Sequence, residues 1–259
     1  MKNIIYYMFF VLLSVLLLTI SSLLEGWAGT LIYVLAFALP VSFGYALSRR
    51  SLREREESRG LAEEELHPFT LSGRKALLLI PTVAPTVALV FLVSFLTSLL
   101  LSALGVESAA ARGGEFLPLF LKSALAPAVL EELLFRYLPI ILIAPYSRKY
   151  ALLTSSVCFT VIHKPESMPY AFIAGVIFML ADLACSSVIP SLILHLVNNT
   201  VSAVWLCFIK DDSVWIFVTV LAASAIISAV FIAARYKEYG RLIRDAFVLK
   251  EKNGIIDFE

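Results

Sequence analysis

The sequence predicts an all-α polytopic membrane protein, a single-domain bundle of about eight transmembrane helices with both termini in the cytoplasm. Its 259 residues are 60% hydrophobic and only 16% charged. Several apolar runs reach about 20 residues, the length that crosses the hydrocarbon of a bilayer at the rise of an α-helix. The basic residues are also distributed unevenly, and their distribution predicts an orientation.

Eight hydrophobic segments follow one another along the chain. They lie at 4–24, 27–48, 76–104, 117–144, 151–163, 168–188, 190–209 and 213–234. The first run resembles a signal peptide, but Glu25-Gly26-Trp27 leads directly into more apolar chain, so we expect a retained helix. The fifth segment is short and precedes Lys164-Pro165-Glu166-Ser167. We expect a partial helix there, joined to the next by a turn that dips into the protein interior.

The basic residues predict the orientation. With eight crossings and the N-terminus inside, the cytoplasmic segments hold 16 of the 21 Lys and Arg residues. The outer loops hold Arg112, Lys164 and Lys210, and Lys122 and Arg136 remain within helices. This bias is the one that the positive-inside rule describes.

Two polar regions flank the apolar segments. The cytoplasmic loop 49–75 contains Arg-Glu-Arg-Glu-Glu, which favours a short exposed helix along the membrane surface. The cytoplasmic tail 236–259 mixes both charge signs, and we expect one surface helix that frays at Asn253-Gly254. Cys158, Cys185 and Cys207 lie in apolar stretches without ligand spacing and are predicted to be packing residues.

The fourth segment carries three charged residues, Glu131, Glu132 and Arg136. Each costs roughly 2.5–3.5 kcal/mol near a bilayer centre, so the group requires a reason. Glu132 and Arg136 are four apart on one helix face, in the orientation that favours an ion pair. Glu131 points about 100° away. We therefore expect Glu132–Arg136 to be a structural pair and Glu131 to be the chemically available carboxylate.

Two later segments add polar residues at helical spacing. Phe159 and His163 share one face of the fifth segment, and His195 and Asn199 share one face of the seventh. Asn198 is also near the second face, so spacing alone does not choose between the asparagines. Approximate depths would let Glu131, His163 and Asn199 meet near mid-membrane.

These residue types can hydrolyse a peptide bond without a covalent nucleophile. A carboxylate and an imidazole can take a proton from water as it attacks a carbonyl. A second imidazole and a carboxamide can donate hydrogen bonds to the resulting oxyanion. Alternatively, Glu131, His163 and His195 could ligate a divalent metal, although the H-E-x-x-H spacing is absent.

The three motifs together resemble a known family. Glu131-Glu132-Leu-Leu-Phe-Arg136 matches E-E-x-x-x-R, Phe159-Thr-Val-Ile-His163 matches F-x-x-x-H, and His195-Leu-Val-Asn-Asn199 matches H-x-x-x-N. In this order, on separate apolar segments, they resemble the CPBP family of CAAX-protease and bacteriocin-processing intramembrane peptidases. The resemblance covers about 118–204.

The resemblance implies an intramembrane glutamic protease whose cavity opens toward the cytoplasm. Glu131 with His163 would activate water, and His195 with Asn199 would form the oxyanion site. Glu132, Arg136 and Phe159 would orient the site. No cofactor is implied, and the expected partners are membrane lipid and a membrane-associated peptide or protein, with no nucleic acid. A CAAX-like, prenylated C-terminus is the precedent for the substrate, and we expect a multi-pass protein of a prokaryotic plasma membrane.

Two other functions use the same features. A proton-coupled transporter would use the intramembrane Glu and His as a relay, but the repeat symmetry common in transporters is not visible. A non-catalytic peptide-binding or bacteriocin-immunity protein would keep the same fold without cleavage. Asp182 matches no motif, and we expect it to be a structural partner or cavity liner, whereas Lys122 is expected to snorkel.

Overall fold

Nine helices and one short hairpin make up the part of the chain that the structure describes. The structure is a computed structural model and describes residues 2–59, 69–105, 115–209, 214–247, 249–251 and 254–256. The helices are α1 (Lys2–Ser22), α2 (Gly26–Arg59), α3 (Gly73–Ala103), α4, α5 (Arg148–Val161), α6 (Met168–Cys185), α7 (Ile189–Phe208), α8 (Val214–Ala234) and α9 (Tyr236–Asp245). The antiparallel strands are β1 (Leu249–Glu251) and β2 (Gly254–Ile256).

The helix α4 is a composite of α-helical and π-helical turns. Its consecutive segments are Phe116–Leu119, Phe120–Leu125, Ala126–Glu132, Leu133–Tyr137 and Leu138–Leu142, of which the second and the fourth are π-helical. Turns of this kind inside α-helices often mark functional sites.

The long apolar helices make this an integral membrane protein. Six helices among the described residues are long and apolar enough to cross a bilayer, namely α1, α2, α3, α6, α7 and α8. The interrupted α4 and the short α5 account for the other two predicted segments. The prediction of an all-α polytopic membrane protein is confirmed.

Two buried clusters hold the bundle together. The larger one joins α1, α2, α4, α5 and α6, with residues such as Tyr7, Phe37 and Leu138 at its centre. The smaller one joins α3, α6 and α7. Since α6 contributes to both clusters, it connects the helices that carry the three motifs.

The turn after α5 differs from the prediction. A short α5 is present, but Lys164, Pro165 and Glu166 are exposed instead of lying in the protein interior. Charged side chains there avoid the desolvation that burial without partners would impose.

The loop and the tail also differ from the prediction. The Arg-Glu-Arg-Glu-Glu stretch continues α2 to Arg59 and does not start a separate helix. Residues 60–68 of this loop, Arg112, Lys210 and Asn253 lie outside the described residues. The tail helix α9 ends at Asp245, and β1 and β2 follow it, so the tail is not one helix. A strand pair satisfies the main chain there by cross-strand hydrogen bonds.

The tail helix is attached to the cytoplasmic end expected for α3. Tyr239 is buried, and its hydroxyl donates to the Leu78 carbonyl at 2.7 Å. Burial raises the pKa of this hydroxyl, which keeps it a neutral donor. Arg148 donates to the carbonyls of Leu183 and Ala246 at 3.0 and 3.4 Å. The start of α5, the end of α6 and the tail are therefore joined.

Candidate active site

The two adjacent glutamates stand at the end of the regular α-helical segment Ala126–Glu132, directly before the π-helical segment Leu133–Tyr137. Both side chains are largely covered, with 15% of the Glu131 side chain and 3% of the Glu132 side chain exposed. The neighbouring apolar residues of α4 pack into the larger buried cluster, and the two glutamates are therefore held in the interior of the bundle.

Glu132 has two charged neighbours. One carboxylate oxygen, Oε2, lies 3.3 Å from Arg136 Nε, which is the expected pair four residues apart. The other, Oε1, accepts a hydrogen bond from His195 Nδ1 at 2.7 Å. The sequence predicted Arg136 as the partner of Glu132. In the structure Glu132 also contacts His195 and so joins α4 to α7.

Arg136 is fully buried, and its neighbours explain how a guanidinium is accommodated there. Its Nη1 donates to the Phe135 carbonyl at 3.1 Å and to Ser155 Oγ at 3.2 Å. Its Cζ lies 4.5 Å from the Phe159 ring centroid and 5.7 Å from that of Phe178. Ion pairing, hydrogen bonds and cation–π contacts together offset desolvation.

Glu131 is the less satisfied carboxylate. Its Oε2 lies 3.9 Å from His195 Nε2, too far for a hydrogen bond. Among the described residues this buried oxygen has no hydrogen-bond partner. The imidazoles of His195 and His163 both interact with it electrostatically. A buried acceptor without a partner is costly, and such groups are typical of sites that bind something.

His163 lies just beyond the end of α5, next to Phe159. Its Nδ1 is 2.7 Å from the Phe159 carbonyl, and the two rings are 4.7 Å apart. Because a carbonyl only accepts, Nδ1 carries the hydrogen and Nε2 of the neutral ring has a free lone pair.

His195 has the corresponding arrangement on α7. Its Nδ1–H donates to Glu132, which leaves Nε2 on the side of Glu131. The ring is packed edge-on to Phe159 at 5.8 Å and tilted against Phe178 at 5.5 Å. Phe159 therefore contacts residues of all three motifs.

The two asparagines lie one turn further along α7. Asn198 is buried, whereas Asn199 is partly buried. Asn198 Nδ2 donates to Asn199 Oδ1 at 3.3 Å. The side-chain oxygen of Asn199 thus already accepts a hydrogen bond, and its side-chain NH₂ group can donate to another acceptor.

The structure brings Glu131, Glu132, Arg136, Phe159, His163 and His195 together, with Asn199 on the same helix as His195. The sequence contained no indication of Phe178, and for Asp182 it predicted a structural partner or cavity liner without indicating the residue that it contacts. Phe178 contacts both Arg136 and His195, but a phenylalanine in an apolar helix gives no signal. Asp182 was visible as an intramembrane acid, although nothing in its spacing pointed to a partner.

The residues expected as alternative metal ligands are Glu131, His163 and His195. Among the described residues, no three His, Cys, Asp or Glu side chains are placed to hold a metal ion, and this includes Glu131, His163 and His195.

One comparison with known proteins gives a match. Residues 113–201 match the family model described as type II CAAX prenyl endopeptidase Rce1-like. This region contains all three motifs and overlaps the core expected at 118–204. No curated protein and no solved structure matches the chain.

Proposed function

We propose, from the premise that this chain belongs to the Rce1-like family of CAAX proteases, that it is an intramembrane glutamic endopeptidase. Its substrate would be a membrane-associated protein with a CAAX-like, prenylated C-terminus, cut near that end. The observation that carries the proposal is the 3.9 Å separation of Glu131 Oε2 from His195 Nε2. At this separation a water that donates to Glu131 Oε2 and a substrate carbonyl that accepts from His195 Nε2 can lie side by side, since such hydrogen bonds measure roughly 2.7–3.0 Å.

Glu131 is the proposed general base. Among the described residues its free oxygen has no protein donor that a water would have to displace, and 15% of the side chain is exposed. His163, whose Nδ1 is held by the Phe159 carbonyl, presents Nε2 as a second acceptor for the same water. General-base catalysis of this kind contributes about 10²–10⁴-fold to a rate.

His195 and Asn199 are the proposed oxyanion donors. The hydrogen bond from Nδ1 to the Glu132 carboxylate orients the His195 ring, and a ring that carries hydrogen on both nitrogens donates from Nε2. Asn199 adds an N–H because Asn198 occupies its carbonyl oxygen.

The reaction then proceeds in two balanced steps. Water gives a proton to Glu131 while its oxygen bonds to the scissile carbonyl carbon, and the carbonyl oxygen becomes the oxyanion. When this intermediate collapses, the C–N bond breaks and Glu131 returns the proton to the leaving amine. The products are a new carboxylic acid, which then gives its proton to the released amine or to water, and a C-terminal peptide, with no covalent enzyme intermediate.

Peptide cleavage by the purified full chain tests the proposal. The probes are a farnesylated peptide ending in a CAAX sequence and its unprenylated counterpart, each assayed with and without a chelator. We expect wild-type protein to cleave the farnesylated peptide regardless of chelator. Glu131→Gln should lose at least about 10²-fold in kcat. Glu166→Gln, which changes an exposed glutamate in the turn after α5, is the matched control and should be fully active.

Other outcomes would identify the rival functions. Tight binding of the peptide by wild-type protein without cleavage would contradict the protease and favour a peptide-binding or immunity protein. Solute transport into liposomes that Glu131→Gln abolishes would favour a transporter. Loss of cleavage on chelation would contradict the metal-free mechanism.

A further inference from the structure

Asp182 is a buried acid that the proposed reaction does not use. It lies on α6, one turn after Phe178, and is fully buried. Its Oδ2 has no hydrogen-bond partner among the described residues. Burying a carboxylate with an unpaired oxygen is costly, so its other contacts must compensate.

The paired oxygen of Asp182 caps the neighbouring helix. Its Oδ1 accepts the main-chain N–H of Ser191 at 2.8 Å. Ser191 is in the first turn of α7, where N–H groups have no partner within the helix. The N-cap residue of α7, Val188, has no side-chain acceptor, and Pro190 has no N–H. Asp182 therefore supplies from α6 an acceptor for Ser191 N–H that the N-cap residue Val188 cannot supply.

Two further hydrogen bonds lie at the corner between α6 and α7. The N–H of Ser187 donates to the main-chain carbonyl of Asp182 at 3.1 Å. The Ser187 hydroxyl in turn accepts from the N–H of Ile189 at 3.2 Å. Asp182 thus holds the short connection between α6 and α7 through both its main chain and its side chain.

The capped turn leads directly to the proposed oxyanion donor. Ser191 and His195 are four residues apart, on one face of α7. Phe178, one turn before Asp182, packs on the His195 ring at 5.5 Å. Asp182 also interacts electrostatically with Glu132 and Arg136. Any sliding or rotation of α7 at Ser191 would therefore change the 2.7 Å contact between His195 and Glu132.

We propose that Asp182 is a positioning residue, whose hydrogen bond to Ser191 N–H fixes the depth and rotation of α7 so that His195 Nε2 faces Glu131. The inference rests on the proposed function for its kinetic consequence. Its structural consequence, the orientation of His195, can be measured without catalysis.

The variants separate the hydrogen bond from the charge. Asp182→Asn keeps an oxygen that can accept from Ser191 N–H. Asp182→Leu removes the acceptor and keeps a branched side chain with the same number of heavy atoms. Ser187→Ala is the matched control because it removes another cap from the same helix end, the acceptor for Ile189 N–H.

The first readout is nitrogen NMR of ¹⁵N-histidine-labelled protein in micelles. The chain has three histidines, so the His195 signals can be assigned by their loss in His195→Gln. We expect Asp182→Leu to shift the His195 signals and leave those of His163 in place. Asp182→Asn and Ser187→Ala should give the wild-type His195 signals.

The second readout is peptide cleavage. Asp182→Leu should lower kcat about 10–100-fold with KM within about threefold, as expected when a catalytic group is displaced by roughly 1 Å. Asp182→Asn should keep kcat within about threefold of wild type.

Several results would overturn the inference. One is unchanged His195 signals in Asp182→Leu. A second is an Asp182→Asn protein as impaired as Asp182→Leu, since then charge and not the hydrogen bond would matter. A third is an equal shift in Ser187→Ala, which would indicate a general effect of the helix start. If Asp182→Leu does not fold, Asp182→Ala takes its place, since it also removes the acceptor for Ser191 N–H, and the same shift of the His195 signals is expected. If wild-type protein cleaves nothing, the proposed function fails while the NMR comparison still tests Asp182.

Discussion

The two adjacent glutamates differ in how their carboxylates are satisfied. Glu132 is paired with Arg136 and His195, and both partners are buried with it. Glu131 has an oxygen without a hydrogen-bond partner in the described structure. Active sites often retain such a cost for the sake of the reaction. Substitution of Glu132 should therefore lower stability, whereas substitution of Glu131 should abolish activity with little effect on stability.

Glutamine substitutions measure this difference. Glu132→Gln leaves Arg136 buried without a counter-charge, and we expect a loss of roughly 3–5 kcal/mol in the free energy of unfolding. Glu131→Gln should be neutral or slightly stabilising while abolishing cleavage. Denaturant unfolding in micelles, monitored by circular dichroism, gives the free energy of unfolding of each variant. Equal destabilisation by the two substitutions would contradict this distinction.

The ring of Phe159 contributes to the site through three contacts, with Arg136, His163 and His195. Phe159→Leu removes the cation–π contact and the ring packing together. We expect it to cost about 2–4 kcal/mol of stability and to lower cleavage. Phe172→Leu, at a 42% exposed position of α6, is the control and should cost less than about 1 kcal/mol. Similar losses in the two variants would show that the aromatic contacts add nothing beyond volume.

At the scale of elements, the corner between α6 and α7 contains a strained residue. Ser186 ends α6 with φ 54°, in the left-handed region that glycine adopts most easily. Its side chain is exposed, so substitution there changes little else.

We expect Ser186→Gly to raise the free energy of unfolding by roughly 0.5–1 kcal/mol because glycine removes the strain. Ser186→Val should lower it, since β-branched residues avoid this conformation. Thermal unfolding of the two variants beside wild type gives the comparison. If valine were as stable as glycine, the turn would not have the conformation described.

Close packing of α5 against α6 depends on one glycine. A Cβ at Gly175 would lie 3.3 Å from Ser156 Cα and 3.4 Å from Phe159 Cδ1. Small residues at membrane helix interfaces allow such an approach. Gly175→Val should separate the helices, displace Phe159 and reduce both stability and cleavage. Gly240→Val is the matched control because the space around that glycine is open, and an equal effect there would argue against the packing explanation.

Sequence patterns predicted most helices and singled out polar residues that the structure brings together. Apolar runs located the helices, and intramembrane charge identified Glu131, Glu132 and Arg136. Spacing along one helix reveals partners on the same face, so the Glu132–Arg136 pair was expected. It cannot reveal a partner on another helix, and for this reason the bond between Glu132 and His195 was missed. The cap from Asp182 to Ser191 escaped for the same reason.

At the scale of the whole molecule, an even number of crossings would leave both termini on one side. Single-cysteine variants Lys2→Cys and Tyr236→Cys, with the native cysteines replaced by alanine, place a reactive group at each exposed position. An impermeant maleimide should label both from the cytoplasmic face only, as the positive-inside bias predicts. Lys164→Cys should be labelled from the other face. Labelling of Lys2→Cys and Tyr236→Cys from opposite faces would mean an odd number of crossings.

The shortness of α5 has a consequence for the surrounding lipid. The helix has 14 residues, about 21 Å against a hydrocarbon thickness of about 30 Å. Its exposed Leu153, Val157 and Val161 form one outward stripe, and the exposed Lys164 follows. Acyl chains beside this stripe must therefore compress locally, a deformation whose elastic cost grows with chain length. When the protein is reconstituted in phosphatidylcholines of increasing chain length, turnover should consequently be lower in the thicker bilayers. The activity would then depend on membrane thickness through the short α5, which ends next to His163.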